Sequence, residues 1–281
     1  YLPGKEAEID LISDGREIFI PVIAEHIEKA GIHSGDSMAY MPSRTLAQDV
    51  KDKILQYAER IVGKLEYKGL MNIQYVISGN DVYVLEVNPR ASRTIPIISK
   101  IANIPMVQIA TKILLGKYSL PQLVNQTGLM EELPYQAVKY PVFSHFALSG
   151  LDSKLGPEMR STGEGIAIAD TKEEALAKVF SFLGKGIKEQ QNEVFLAESV
   201  ELPDEITERM LTKGLKPVKG ESLEEWLKAK KGKVVLSSTD KEKTERLKAA
   251  KYRLHTFTSL ETFEAYIEGS EVAELTLTSL S

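Results

Sequence analysis

Met71-Asn72-Ile73-Gln74-Tyr75-Val76-Ile77-Ser78-Gly79-Asn80-Asp81-Val82-Tyr83-Val84-Leu85-Glu86-Val87-Asn88-Pro89-Arg90 reads as two strands joined by a turn. Side chains on a strand alternate faces, so a period-two pattern reports which side each residue takes. A three-residue turn at Gly79-Asn80-Asp81 sets Ser78 against Val82. Ile73 then faces Val87, Tyr75 faces Leu85 and Ile77 faces Tyr83, which makes one apolar face. On the other face Gln74 lies across from Glu86, and Asn72 across from Asn88. A slip of one residue breaks both matches, so the register is specified by the pattern itself. Pro89 lacks an N–H and should end the ladder.

The polar face gathers a carboxylate, side-chain amides and the following Arg90. Hard divalent cations take oxygen ligands, and magnesium uses one or two carboxylates together with substrate phosphates. Arg90 and Arg93 lie just past the strand, where a guanidinium can fork onto phosphate or carboxylate oxygens. The alternative is a polar strand face turned to solvent.

Upstream, Glu6 to Asp10 and Glu17 to Ile23 read as strands about an Asp14-Gly15 turn. Glu25 to Ser37 is polar, contains two glycines, and reads as a long functional loop. Within it Gly31-Ile32-His33-Ser34-Gly35-Asp36-Ser37 offers glycines that admit a phosphate close to backbone N–H groups, and an imidazole donor. An ordinary surface loop with Asx and Ser turns is the alternative there. Thr45 and Gln48 have capping-box spacing ahead of Leu46, Val50, Ile54, Ala58, Ile61 and Leu65, which recur at helical intervals. Downstream, a helix runs from Pro105 towards Gly116, strands lie near 137–146 and 165–169, and Thr171 with Glu174 caps another helix. Gly184 to Gln191 reads as a linker. Beyond it, short apolar runs at Val194–Ala197, Val234–Leu236 and Leu254–Phe257 alternate with helices, the pattern of a small parallel α/β domain. His26, His145 and His255 stand apart and read as packing or surface histidines.

The 281 residues suffice for two domains. With 35 Lys plus Arg against 40 Asp plus Glu, the net charge of −5 argues against broad nucleic-acid binding, which needs a basic surface. The absence of Cys removes disulfides, thiolate metal sites and thiol nucleophiles, and fits a cytoplasmic setting. No apolar run reaches the roughly 18 residues of a membrane span. A start at Tyr1, on a loop-like Leu2-Pro3-Gly4, suggests a piece of a longer chain.

Three segments together resemble the large subunit of carbamoyl phosphate synthetase, in its second, C-terminal synthetase half. They are Glu25 to Ser37, the hairpin end Glu86-Val87-Asn88-Pro89-Arg90-Ala91-Ser92-Arg93-Thr94, and Leu155 to Glu164. The resemblance covers about residues 1–183. It implies the C-terminal part of an ATP-grasp domain, an antiparallel sheet with helices, that phosphorylates carbamate with ATP to give carbamoyl phosphate. It implies that Glu6 sits at the adenosine and that Gly31, Ile32, His33 and Ser34 form the nucleotide loop. Gln74, Glu86 and Asn88 become ligands of magnesium or manganese, with Gln74 and Glu86 also serving the nucleotide. Arg90 and Arg93 become the phosphate-facing catalytic arginines. The implied partners are a glutaminase small subunit, bicarbonate or carbamate, and ammonia, without nucleic acid or membrane; a homo-oligomer is compatible.

By the same resemblance, 184–191 is a linker and 192–281 a regulatory-type α/β domain, Rossmann-like and similar to methylglyoxal synthase. Such domains carry an Asn-Thr-x-Ser-Gly phosphate loop. Here Ser237-Ser238-Thr239-Asp240-Lys241 lacks the glycine and places an acid where phosphate would sit, and it reads equally as a helix cap at Asp240. A shortened, diverged tail suits arginine synthesis more than pyrimidine synthesis. The hairpin motif also occurs in other ATP-grasp ligases, and an isolated piece would act as a non-catalytic module.

Overall fold

The computed structural model describes residues 2–130, 133–144, 150–182, 192–220, 222–229, 232–237, 239–252, 254–270 and 272. The expected linker 184–191 lies outside them, as does His145. The described residues divide into two compact units, one within 2–30 and 39–139, the other within 31–38 and 140–272.

The first unit contains β1 (Lys5–Asp14), β2 (Ile18–Ile20), β3 (Ile23–Lys29), β4 (Ala39–Met41), α1 (Gln48–Leu65), β5 (Lys68–Ser78), β6 (Asp81–Asn88), α2 (Ile95–Ile101), α3 (Met106–Leu114), β7 (Gly128–Leu129) and the start of β8 (Gln136–Val142). Its strands follow the order β6-β5-β1-β3-β4-β8, with β2 beside β1 and β7 beside β2. Every pair along the main path is antiparallel.

Helix α1 buries Val50, Ile54, Ala58 and Val62, spaced by four, so that one stripe meets the sheet. That stripe packs on Ala7, Ile9 and Leu11 of β1 and Ile73, Tyr75 and Ile77 of β5, the residues that alternation assigns to one face. Each fully buried Val or Ile contributes roughly 1.5–3 kcal/mol. The helix starts later than the Thr45 spacing suggests. Its N-cap is Ala47, which makes no side-chain capping bond. Thr45 is instead held by Glu25, which accepts from its hydroxyl, from its backbone N–H at 2.7 Å and from that of Arg44 at 2.6 Å. A buried carboxylate has outcompeted the local cap.

The segment read as a loop from Glu25 onward is strand β3 as far as Lys29. Its polarity is real, yet Glu25, His26 and Glu28 are buried. The hairpin register also departs from the simple ladder. Asn72↔Asn88, Ile73↔Val87 and Gln74↔Glu86 pair as expected, but a bulge follows, and Tyr75 faces Val84, Val76 faces Tyr83 and Ile77 faces Val82. Ser78 pairs with Asp81, so the turn has two residues. The extra residue is Leu85, and Tyr83, Val84 and Leu85 are exposed rather than part of an apolar face. Helix α2 has no counterpart in the sequence reading, because four isoleucines within seven residues hide the period.

The second unit contains the end of β8, then β9 (Gly163–Ala169), α4 (Lys172–Phe182), β10 (Glu193–Leu196), α5 (Asp204–Thr212), β11 (Lys216–Val218), α6 (Leu223–Ala229), β12 (Gly232–Leu236), α7 (Lys243–Lys251), β13 (His255–Phe257) and α8 (Leu260–Gly269). Thr171 caps α4, accepting the Glu174 N–H at 3.2 Å. The sheet order β11-β10-β12-β13 is parallel throughout, as the alternating pattern requires. The cap expected at Asp240 is shifted by one residue: Thr239 and Glu242 form the capping box. Among the described residues no single helix is long and apolar enough to cross a membrane.

Candidate functional site

The polar face of the first unit is built by three adjacent strands. Glu8 of β1 pairs with Gln74 of β5, which pairs with Glu86 of β6; Asp10, Asn72 and Asn88 form the next row. The bulge comes only after the Gln74–Glu86 pair, so the sequence-derived register holds where the chemistry lies. Asn88 Nδ2 donates to Glu86 Oε1 at 2.7 Å, and Asn88 Nδ2 stands 3.5 Å from Asn72 Oδ1. Glu86 is exposed while Gln74 and Asn88 are half-buried, so all three lie at an accessible surface. Arg90 and Arg93 follow on the same chain segment and are exposed. Arg90 Nη1 donates to the Ala91 carbonyl at 3.1 Å.

On the same face, towards β3 and β8, lies a buried cluster of which the sequence reading names Asn72 and, through the family resemblance, Glu6. Glu6, Glu8, Asp10, His26, Asn72 and Lys139 are all buried. His26 places Nδ1 3.5 Å from Glu6 Oε2 and Nε2 3.7 Å from Glu8 Oε1; Lys139 Nζ lies 3.8 Å from the same Glu8 oxygen. Asn72 Nδ2 reaches Glu8 Oε2 at 3.3 Å. Burial alone pushes the Glu8 carboxyl up, but the His26 hydrogen bond and the Lys139 charge outweigh it and hold Glu8 ionised. Asp10 goes the other way: burial and the neighbouring Glu8 charge raise its carboxyl, so it keeps its proton. His26 is pushed down by burial but lifted more strongly by Glu6 and Glu8, to about 9. The available signal was the alternation Glu6-Ala7-Glu8-Ile9-Asp10 itself, which looks identical whether its polar side meets water or buried cations.

The raised His26 value fixes a pH dependence. Its stabilising charge is fully present below the ordinary histidine value near 6.5 and is lost as pH rises through about 9. Unfolding free energy should therefore fall by on the order of 3 kcal/mol between pH 6.5 and pH 9.5. His26→Asn should remove the histidine part of that slope. Urea melts across this range check it, and an equally steep slope in the variant would refute the assignment to His26.

The Gly31–Ser34 loop belongs to the second unit. Gly31 has φ +107°, a conformation glycine tolerates without cost. His33 Nδ1 accepts the Gly35 N–H at 3.0 Å, so Nε2 is the ring atom left for a ligand. The His33 N–H donates to the Gly156 carbonyl at 2.8 Å. Asp36, fully buried, accepts the N–H groups of Arg160 and Ser161, each at 2.8 Å. The two motifs Gly31–Ser37 and Leu155–Ser161, 124 residues apart at their Asp36–Arg160 bond, are thus one hydrogen-bonded body.

Residues 3–123 match the family described as carbamoyl-phosphate synthase L chain, ATP binding domain. The chain is 47% identical over 279 residues to the arginine-specific carbamoyl phosphate synthase large chain of Geobacillus stearothermophilus, covering 98% of this chain and 26% of that protein. It is 39% identical over 273 residues to the protein of the same name from Bacillus subtilis (strain 168), covering 95% of this chain and 25% of the relative. It therefore spans about a quarter of the length of these curated relatives. Among solved structures, the biotin carboxylase domain of a single-chain bacterial carboxylase aligns with a TM-score of 0.52 at 15% identity, over 64% of this chain and 47% of that one. The urea carboxylase of Kluyveromyces lactis aligns at 0.51 and 14% identity, over 64% of this chain and 18% of that one. Likenesses at those identities show the fold alone, an ATP-grasp type antiparallel layer with helices. Motifs, fold and identity point the same way: residues 3–123 match the carbamoyl-phosphate synthase L chain ATP-binding domain, and nearly the whole chain is similar to a stretch of the arginine-specific carbamoyl phosphate synthase large chains.

Proposed function

We propose that this chain is the C-terminal portion of an enzyme that phosphorylates carbamate with ATP to give carbamoyl phosphate, in the cytoplasm and in the service of arginine synthesis. The observation that carries the reading is the register of β5 on β6, which sets Gln74 and Asn88 either side of Glu86 on one accessible face. Among the described residues no three His, Asp or Glu gather into an all-protein metal cage. One carboxylate among amides instead suits magnesium or manganese held jointly with substrate phosphates, so the donor set fits such an ion. Gln74, Glu86 and Asn88 would hold it, and bound there it neutralises phosphate charge. Phosphoryl transfer asks the protein mainly for positioning and charge stabilisation. Arg90 and Arg93 supply fixed positive charge for phosphate oxygens. Glu6 orients the nucleoside end, and Gly31 to Ser34 supply backbone N–H groups and the His33 ring. Carbamate decomposes in water, so the site must close when loaded. Residues 1–183 are the end of the synthetase half and 192–281 a methylglyoxal-synthase-like domain joined by 184–191; a glutaminase partner supplies ammonia to the full-length protein.

The test is a product assay on the full-length protein. ATP consumption that requires bicarbonate and ammonia and yields carbamoyl phosphate is expected. Turnover that requires biotin instead would overturn the reading in favour of a carboxylase, the second reading that the shared fold supports.

A further inference from the structure

Arg246 is the most completely buried arginine among the described residues, with its side chain 1% exposed and that of its partner Asp152 9% exposed. The pair is bidentate: Nε to Oδ1 and Nη2 to Oδ2, both at 2.7 Å. Nη1 donates to the Thr239 carbonyl at 2.5 Å and to Ser237 Oγ at 3.2 Å. A buried ion pair is a poor source of stability, because apolar residues of similar size do as well. What a planar fork adds is geometry, since it fixes the carboxylate in both distance and plane.

The carboxylate it fixes belongs to a stretch with no regular structure. Residues 151–162 contain neither helix nor strand, so their path depends on where they are anchored. Asp152 Oδ1 also accepts the Lys154 N–H at 3.2 Å, and the Leu155 N–H donates to Thr258 Oγ1 at 3.2 Å. The next residue, Gly156, accepts the His33 N–H; Arg160 and Ser161 then bind Asp36, and Ser161 Oγ donates to the Gly35 carbonyl at 2.8 Å. An unbroken series of bonds thus runs from the ends of β12 and β13 to the His33 loop, all within the second unit.

The far end of the series is itself locked. In the order β11-β10-β12-β13 the strand order reverses between β10 and β12, the place where open α/β sheets leave a crevice. Glu242 fills it. Its carboxylate accepts Ser199 Oγ at 2.5 Å, the Ser199 N–H at 3.0 Å, Ser237 Oγ at 3.1 Å and the Thr239 N–H at 3.2 Å. The loop against which Arg246 leans is therefore held by the protein's own acid.

We propose that Asp152 and Arg246 are positioning residues for the His33 loop, and that the parallel sheet serves through them as a rigid strut that holds this loop in place. The inference rests on the loop's role at the nucleotide only for its catalytic consequence. Hydrogen exchange on the full-length protein tests the strut directly. Arg246→Met and Asp152→Asn should accelerate exchange at the His33, Arg160 and Ser161 amides by about tenfold or more, with the β1 and β5 amides unchanged. Arg246→Lys keeps the charge without the fork and should give an intermediate acceleration. Unchanged protection at those three amides overturns the proposal. Should Arg246→Met unfold the sheet, seen as lost protection in β10 and β12, Arg246→Lys decides by the same criterion. The apparent KM for ATP separates the two readings. A rise of about fivefold or more with kcat nearly unchanged ties the loosened loop to the nucleotide, whereas a merely structural defect lowers kcat through the active fraction. A loosened loop with unchanged KM would leave the strut standing and remove the loop from the nucleotide site.

Discussion

Glu86→Gln is expected to lower ATP turnover by the full-length protein by about 10²–10³-fold, the range found when one charge-stabilising group is removed from a transition state. The substitution conserves shape and keeps the backbone pairing of Gln74 with residue 86. Glu86 is exposed, so the change should shift stability by no more than about 0.5 kcal/mol. What it removes is the negative charge among Gln74, Glu86 and Asn88. The remaining amide oxygens bind a hard cation weakly, and phosphate charge goes uncompensated. Initial rates of ATP consumption with bicarbonate and ammonia, together with a thermal melt, check both halves. Full activity in a folded variant would show that the β5–β6 face is a solvated surface.

Lys139→Met is expected to cost about 3–5 kcal/mol of folding free energy, because it leaves a buried carboxylate without one of its cations. Lys139 is 1% exposed and lies beside Glu8, whose ionised form depends on His26 and on Lys139. Methionine matches much of the lysine stem in volume, so packing loss is a minor part of the effect. Glu8 must then either remain charged in a low-dielectric setting or take up a proton, and Asp10 beside it already holds one. Urea unfolding at pH 7 measures the change. The double variant Glu8→Gln with Lys139→Met should recover part of the loss, since removing both partners abolishes the uncompensated charge. A loss below about 1 kcal/mol would mean that the cluster is hydrated and far less costly than its burial implies.

Much of the site was legible because period-two alternation needs only local chemistry. The Gln74–Glu86 and Asn72–Asn88 pairs follow from matching two polar-apolar patterns, and the structure keeps both. The bulge at Leu85 was not legible, since Tyr83-Val84-Leu85 satisfies an apolar pattern whether it faces a core or solvent. Residues 25–29 of β3 read as a loop because Glu25, His26 and Glu28 look like surface residues; Glu25 is buried against Lys5 and Thr45, and His26 against Glu6 and Glu8, all distant in sequence or on another strand. The Thr45 cap failed for the same reason. A nonlocal acceptor, Glu25, took the groups that a local cap would have used.

From the order of residues alone came the strand pairing beside the site, the amphipathic stripe of α1 and the parallel character of the last sheet, all properties of short-range periodicity and turn chemistry. The three-dimensional arrangement decided which carboxylates are ionised, that Asp10 keeps its proton, and that Asp152 meets Arg246 across 94 residues of chain. Charge state and long-range anchoring depend on dielectric surroundings and on partners brought near by folding, and neither is encoded in any local stretch.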